Sequence, residues 1–440
     1  MRKAKLVAAV LGSLAPLPAL AESANVEIYG TINADYESVR ATGASPAATQ
    51  PSNQLGATPT GIDVPQRSRV TSNSSNIGFR GTMPLGSGLR AFFQIESAVG
   101  FDNQATFGSN TANGSPVGGG FATRNTNIGL GGSWGSAFLG QWDTPYKVIS
   151  GAVDPMYFTG IAYTGAIIGT PGFGVGPVTN GNITLNAAGT TFANISNASF
   201  ERRQGNSIQY WTPSFGPVRA KLSYSVNEGK SSSGANVTQV DPRIWSTNLE
   251  YDNGPLYLAA AYEAHLDYFG LSAIAPAGQA VPLAAAGSSA TASSRDTGIK
   301  LVARYGFGKT RLGVIVERLE YEQDNSVAAA TAFKSYKRNA YALTATHDIG
   351  PGTFRGIYGR AQSGNCTLVG GGACSASGLG AQQVTLGYSV AYSDRLDLYA
   401  AYTRIANEAN ATYQFANAAG VGAAAGADNV GYLLGIRYSF

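Results

Sequence analysis

The chain has 440 residues, of which 13% are charged and 57 are glycine. Half the usual charge content with nearly double the ordinary glycine excludes a coiled coil, a collagen and a charged disordered chain. A mean hydropathy of −0.05, and no apolar run of ~20 residues after the N-terminus, exclude a bundle of membrane-spanning helices.

In chain order, Arg2, Lys3 and Lys5 open a segment that turns apolar from Leu6 to Leu20 and ends Ala19-Leu20-Ala21. That is the pattern of a cleaved secretory signal, so residues 1–21 are expected to leave and 22–440 to form the mature domain. The formal charge then falls from +4 to +1, because three basic residues leave. Nothing in so neutral a chain points to nucleic acid.

From Val26 onward, segments of about ten residues alternate apolar and polar side chains. Val26, Ile28, Gly30, Ile32, Ala34 and Tyr36 share one face of the first, opposite Glu27, Tyr29, Thr31, Asn33 and Asp35. Tight turns are expected at Met83–Gly88, Gly131–Ser136, Thr212–Pro217, Asp252–Pro255, Gly306–Lys309, Asp348–Gly352 and Ser393–Arg395. Those hairpins, with one strand left over at each end (Val26–Tyr36 and Val430–Phe440), make sixteen strands. The faces of Phe138–Trp142, Leu312–Glu320 and Phe354–Arg360 stay unassigned. Long polar connections alternate with the tight turns, and the longest runs from about Asp143 to Gly205. Cys366 and Cys374, the only cysteines, are expected to form a disulfide that closes a Gly-rich loop outside the ladder.

An even number of alternating strands, with short turns at one end and long loops at the other, describes an all-β, sixteen-stranded antiparallel transmembrane barrel. Lipid cannot satisfy backbone groups, so such a sheet must close, and this strand number leaves an aqueous bore. A soluble sandwich is the alternative, and would have to pack the apolar face on a second sheet.

Four stretches carry a family resemblance: Val26-Glu-Ile-Tyr-Gly-Thr-Ile32, Ser68-Arg-Val-Thr-Ser-Asn-Ser-Ser-Asn-Ile-Gly-Phe-Arg-Gly81, Leu139-Gly-Gln-Trp-Asp-Thr-Pro-Tyr-Lys147 and Gly431-Tyr-Leu-Leu-Gly-Ile-Arg-Tyr-Ser-Phe440. Together they resemble the general trimeric porins of Gram-negative outer membranes, in their β-proteobacterial branch. The resemblance implies a homotrimer in outer-membrane lipid, inserted by the barrel-assembly machinery with terminal Phe440 as its signal. It implies passage of small hydrophilic solutes and ions and a third long loop folded into the pore. From the residues themselves no cofactor is expected, because no Gly-x-Gly pair opens a helix in a βαβ unit. The many apolar residues of that loop also fit a trimer contact or packing on the inner wall. The turn at Met83-Pro84-Leu85-Gly86 lacks the family's acidic pair, and the Pro-Glu-Phe-Gly type of loop motif is absent. Asp143 and Asp154 are the acids offered in its place.

Alternation assigns Arg69, Arg80, Arg90, Arg219, Lys221, Lys300, Arg304 and Arg437 to the lumen, against Glu27, Asp35, Glu37, Glu96, Glu250, Glu263 and Asp397. Arg69, Glu96, Lys300 and Arg304, with Asp143 and Asp154, are expected at the constriction, and Arg80 and Arg90 in the vestibule. With charges nearly balanced, the expectation is a wide, weakly anion-preferring diffusion pore. A substrate-specific channel would show a continuous aromatic track, which Phe92 and Trp211 alone do not make. A barrel enzyme would need a catalytic constellation, and His265 and His347, the only histidines, fall on different segments. No metal site is expected.

Overall fold

The computed structural model describes residues 25–101, 121–175, 198–226, 230, 240–275, 292–325, 329–415 and 422–440. The segment read as a signal, 1–21, lies outside them. The first eight strands are β1 (Asn25–Thr42), β2 (Val64–Ser72, continued by Asn76–Gly86), β3 (Leu89–Ala98), β4 (Thr126–Gly132), β5 (Gly135–Asp143), β6 (Arg203–Trp211), β7 (Val218–Ser225) and β8 (Arg243–Asn253). The rest are β9 (Leu256–Leu266), β10 (Ala292–Phe307), β11 (Thr310–Asn325), β12 (Phe333–Ile349), β13 (Gly352–Ala361, continued by Asn365–Leu368), β14 (Ala381–Ser393), β15 (Leu396–Asn407) and β16 (Asp428–Ser439). Two short helices are α1 (Pro145–Gly151) and α2 (Gly270–Ile274).

Every strand pairs antiparallel with its neighbour in sequence, and β1 also pairs with β16 from Thr31↔Ser439 to Thr42↔Asp428. The sheet is therefore a closed sixteen-stranded barrel with no free edge. Both halves of β2 pair with β1, and both halves of β13 pair with β12, so the interruptions at 73–75 and 362–364 break strands without adding any. All seven tight turns fall between consecutive strands. Six of them are two-residue loops, and three of these, Gly254-Pro255, Gly308-Lys309 and Gly350-Pro351, open on glycines at φ +60°, +55° and +58°. A first loop residue with positive φ matches the twist of the flanking strands at little cost only when it lacks a Cβ.

Strands outrun the sequence reading at the long-loop end. β1 extends to Thr42 and β12 covers 17 residues, because alternation fades there while pairing continues. Outward positions are apolar and open, as at Ile28 (60% exposed) and Leu434 (65%). Left in water, so broad an apolar surface would aggregate; facing hydrocarbon, it is the required exterior. No described helix is long and apolar enough to cross a membrane.

Met156, Ile161, Ile167, Ile168 and Phe173 of the long connection share one buried apolar cluster with strand side chains such as Ile315, Leu319 and Tyr336. Cys366 and Cys374 are bonded, with Cα atoms 5.8 Å apart. Contrary to the expectation of a staple outside the ladder, Cys366 sits in it, paired with Tyr336. The strand resumes after the break at 362–364, so the bond ties the loop to the rim itself.

Candidate functional site

The connection between β5 and β6 begins with α1, which sequence reading left as loop. Thr144 caps it by accepting from the Lys147 amide, and Pro145 opens it, where a missing N–H costs nothing. Beyond α1 the main chain has little regular structure, so its carbonyls need donors from elsewhere. Inward side chains supply them. Arg304 donates to the Ala152 carbonyl (2.7 Å), Thr344 to Val153 (2.8 Å), Arg355 to Pro155 (2.9 Å), Asn33 to Phe158 (2.6 Å) and Thr385 to Ala162 (3.0 Å). Arg338 donates to the Ile167 and Thr170 carbonyls. The polar inner wall of β10 to β14 and β1 thus donates to these seven carbonyls of residues 152–170.

Charged side chains hold the same segment from below. Lys300 is fully buried, donates to Ser150 Oγ (2.8 Å), and lies 3.8 Å from both Glu201 and Glu317. Glu317 accepts from Tyr146 (2.8 Å), the Gly169 amide (2.9 Å) and Arg338 (3.1 Å). Buried charges persist when paired and hydrogen-bonded in this way. Burial pushes the Glu201 carboxyl up to about 7.

A cavity of about 550 Å³ remains between this segment and the opposite wall. Its lining includes Gly151–Pro155, Tyr157 and Phe158 from the connection, and Arg124, Arg304, Arg311, Arg355 and Arg437. Arg124 pairs with Glu96 at 2.5 Å, and Arg437 lies 4.0 Å from Asp397. Arg311 shares this lining with no acid other than Asp154. Asp154 is the acid of this lining, and it is nearly buried. Its oxygens accept from the Met156 amide (2.8 Å) and from the amide and hydroxyl of Thr164 (2.7 Å each), and burial pushes its carboxyl up to about 6.

Of the residues expected at the constriction, Arg304 and Asp154 reach this cavity, and Glu96 does so only through Arg124. Lys300 is not on open wall, because α1 and the returning segment cover it. Arg69 lies apart, bonded to Glu37 at 2.5 Å. Asp143 stands at the root of the connection, bound by Lys147 (2.9 Å), Arg203 (3.3 Å) and Asn125. Arg80 chelates Glu27 in the vestibule, where Arg90 is also exposed. Arg311 and Arg355 were missed because their strands mix apolar and polar side chains on both faces. Register supplies what alternation lacked: Lys300↔Glu317 fixes the odd positions of β11 as inward. His265 is buried against Glu263 (2.8 Å) and stacked on Phe200, while exposed His347 meets Thr310, and β9 and β12 are not neighbours.

Residues 6–410 match the family described as Gram-negative porin. The outer membrane porin protein 32 of Delftia acidovorans is 27% identical over 84% of this chain and 85% of its own. The major outer membrane protein P.IA of Neisseria meningitidis is 34% identical over 35% of this chain and 36% of its own. Among solved structures, the anion-selective porin from Comamonas acidovorans superposes with a TM-score of 0.63 at 22% identity, over 95% of this chain and all of that one, a likeness of fold. Closed barrel, apolar exterior, polar interior and family match agree: the chain belongs to the Gram-negative porins, and is a multi-pass β-barrel of the outer membrane.

Proposed function

We propose that this porin is a general diffusion channel for small hydrophilic solutes, that residues 144–175 narrow it, and that it weakly prefers anions. The observation that carries the preference is the arc of Arg304, Arg311, Arg355 and Arg437 around one cavity whose acid, Asp154, is buried and hydrogen-bonded. Four guanidinium groups, of which only Arg437 has an acid within 4.0 Å among the described residues, in Asp397, leave an excess of positive charge at a narrow, poorly screened level and favour counter-ions, whereas paired charges elsewhere largely cancel. Lys300 and Arg69, expected at the constriction, do not carry the preference, because both are paired with acids.

The zero-current potential of purified protein in a planar bilayer, under a tenfold potassium chloride gradient, tests the reading. An anion-favouring sign supports it, and a cation-favouring sign defeats it. The homotrimer, insertion through Phe440 by the barrel-assembly machinery, and removal of residues 1–21 belong to the same proposal. Intact mass beginning at Glu22 and chemical crosslinking to three copies are the measurements.

A further inference from the structure

A second cavity, of about 430 Å³, opens near the short-turn mouth, on the wall formed by β1 to β6. Here the lumen is not polar. Phe92, Phe138, Trp142 and Trp211 converge, with Phe138 at 5.3 Å from Trp142 and 5.2 Å from Trp211, and Trp142 at 5.9 Å from Trp211. Phe92 meets Phe138 at 6.2 Å, and all four pairs are edge-to-face. Phe138 is buried beneath the others, while Phe92, Trp142 and Trp211 keep part of their surface open to the cavity. Wall stiffness does not require this, because the interdigitated strands are already closed; open aromatic surface in a water-filled bore is the informative exception.

The charges beside it have one sign to spare. Glu27 accepts from two nitrogens of Arg80, Nη2 at 2.7 Å and Nε at 2.8 Å. Lys221 lies 5.0 Å over the Trp211 ring and pairs with Glu250. The side chain of Arg90, exposed in the same lining, makes no hydrogen bond or ion pair with any described residue. Aromatic surface beside an uncommitted guanidinium complements a ring joined to an anionic group.

We propose that this cluster is a low-affinity binding site for aryl carboxylates, planar anions that would pause there on their way through the pore. The site lies outside the arginine arc, and the proposal rests on the channel reading only in that solutes must enter the lumen.

The test uses the full assembled protein carrying Trp134→Phe and Trp245→Phe, which leaves Trp142 and Trp211 as its only indoles. Fluorescence is titrated with phenylacetate, benzyl alcohol and acetate. Saturable quenching by phenylacetate, on the order of millimolar, is expected, with weaker binding of benzyl alcohol and none of acetate. Phe92→Leu should raise the phenylacetate half-saturation roughly three- to tenfold. Arg90→Gln should raise it about threefold, without moving that of benzyl alcohol. Acetate matching phenylacetate, absence of saturation, or an unchanged half-saturation in Phe92→Leu would each overturn the site. If Phe92→Leu does not assemble, the ligand comparison in the unchanged lining decides alone. Salt conductance without saturation defeats this site only, while absence of conductance defeats the channel reading.

Discussion

Arg355 and Arg437 reach for the same ring: each guanidinium carbon lies 5.6 Å from the centroid of Phe158, on the connection between β5 and β6. One ring thereby positions two cations at the edge of the cavity. Phe158 is itself fixed, edge-on to Tyr399 at 5.0 Å and through its carbonyl to Asn33.

Neutralising this pair should therefore change selectivity. Arg355→Gln with Arg437→Gln is expected to move the reversal potential towards cations, lowering the anion-to-cation permeability ratio by roughly two- to fivefold in dilute salt. Arg69→Gln, which loses a charge already bonded to Glu37, should move it far less. Equal shifts in the two proteins would misplace the narrow level.

Asp154 should make selectivity depend on pH. Its carboxyl is raised from 3.8 to about 6, so it is neutral below that pH and anionic above it. Lowering pH from 7.5 to 5 removes a negative charge from the cavity lining, and anion preference should rise. The linkage runs the same way for docking of the segment: its contribution is full below about pH 4 and is lost as pH rises through about 6. Bilayer reversal potentials across this range, with Asp154→Asn as the flattened control, check the sign.

The barrel seam offers a third test. Phe440 and Gly30 exchange both backbone hydrogen bonds, each 3.1 Å, and a Cβ on Gly30 would lie 2.5 Å from the Phe440 ring. Deleting Phe440 removes two bonds worth about 1 kcal/mol each where the sheet closes. Assembled, heat-modifiable protein should fall several-fold, and Gly30→Val should fall with it. Normal yields from both would show the seam tolerant.

Cys366→Ser with Cys374→Ser should leave assembly intact, because the ring closed is short and the bond adds at most about 2–3 kcal/mol. The loss should be local. Hydrogen exchange should quicken in 365–380 and in the paired residues Phe333–Lys337, since Cys366 stands in the ladder with Tyr336. Protection unchanged at Tyr336 would mean the rim holds without the staple.

Strand number, turn positions and outer face were legible because hydrocarbon imposes period two on every strand that spans it. Val26, Ile28 and Ile32 could be assigned outward from their own spacing alone. The interior follows no such rule, since a segment docked inside a barrel lets inward positions be apolar, as Ile315 and Leu319 are. That is why β11 read ambiguously, and why Arg311 went unnoticed beside them. Lys300 was assigned to the correct face but the wrong surroundings. Alternation tells which way a side chain points, and cannot tell what another part of the chain lays over it.

The clamp on residues 152–170 has a consequence for biogenesis. Apart from Asn33 and from residues of the segment itself, such as Asp154 and Thr159, the side chains that bond its backbone come from later in the chain, on β10 to β14. The segment is synthesised and threaded before its own mould exists. Its final path is therefore set only once β10 to β14 are in place, so a barrel arrested before that half has formed would hold an unshaped throat.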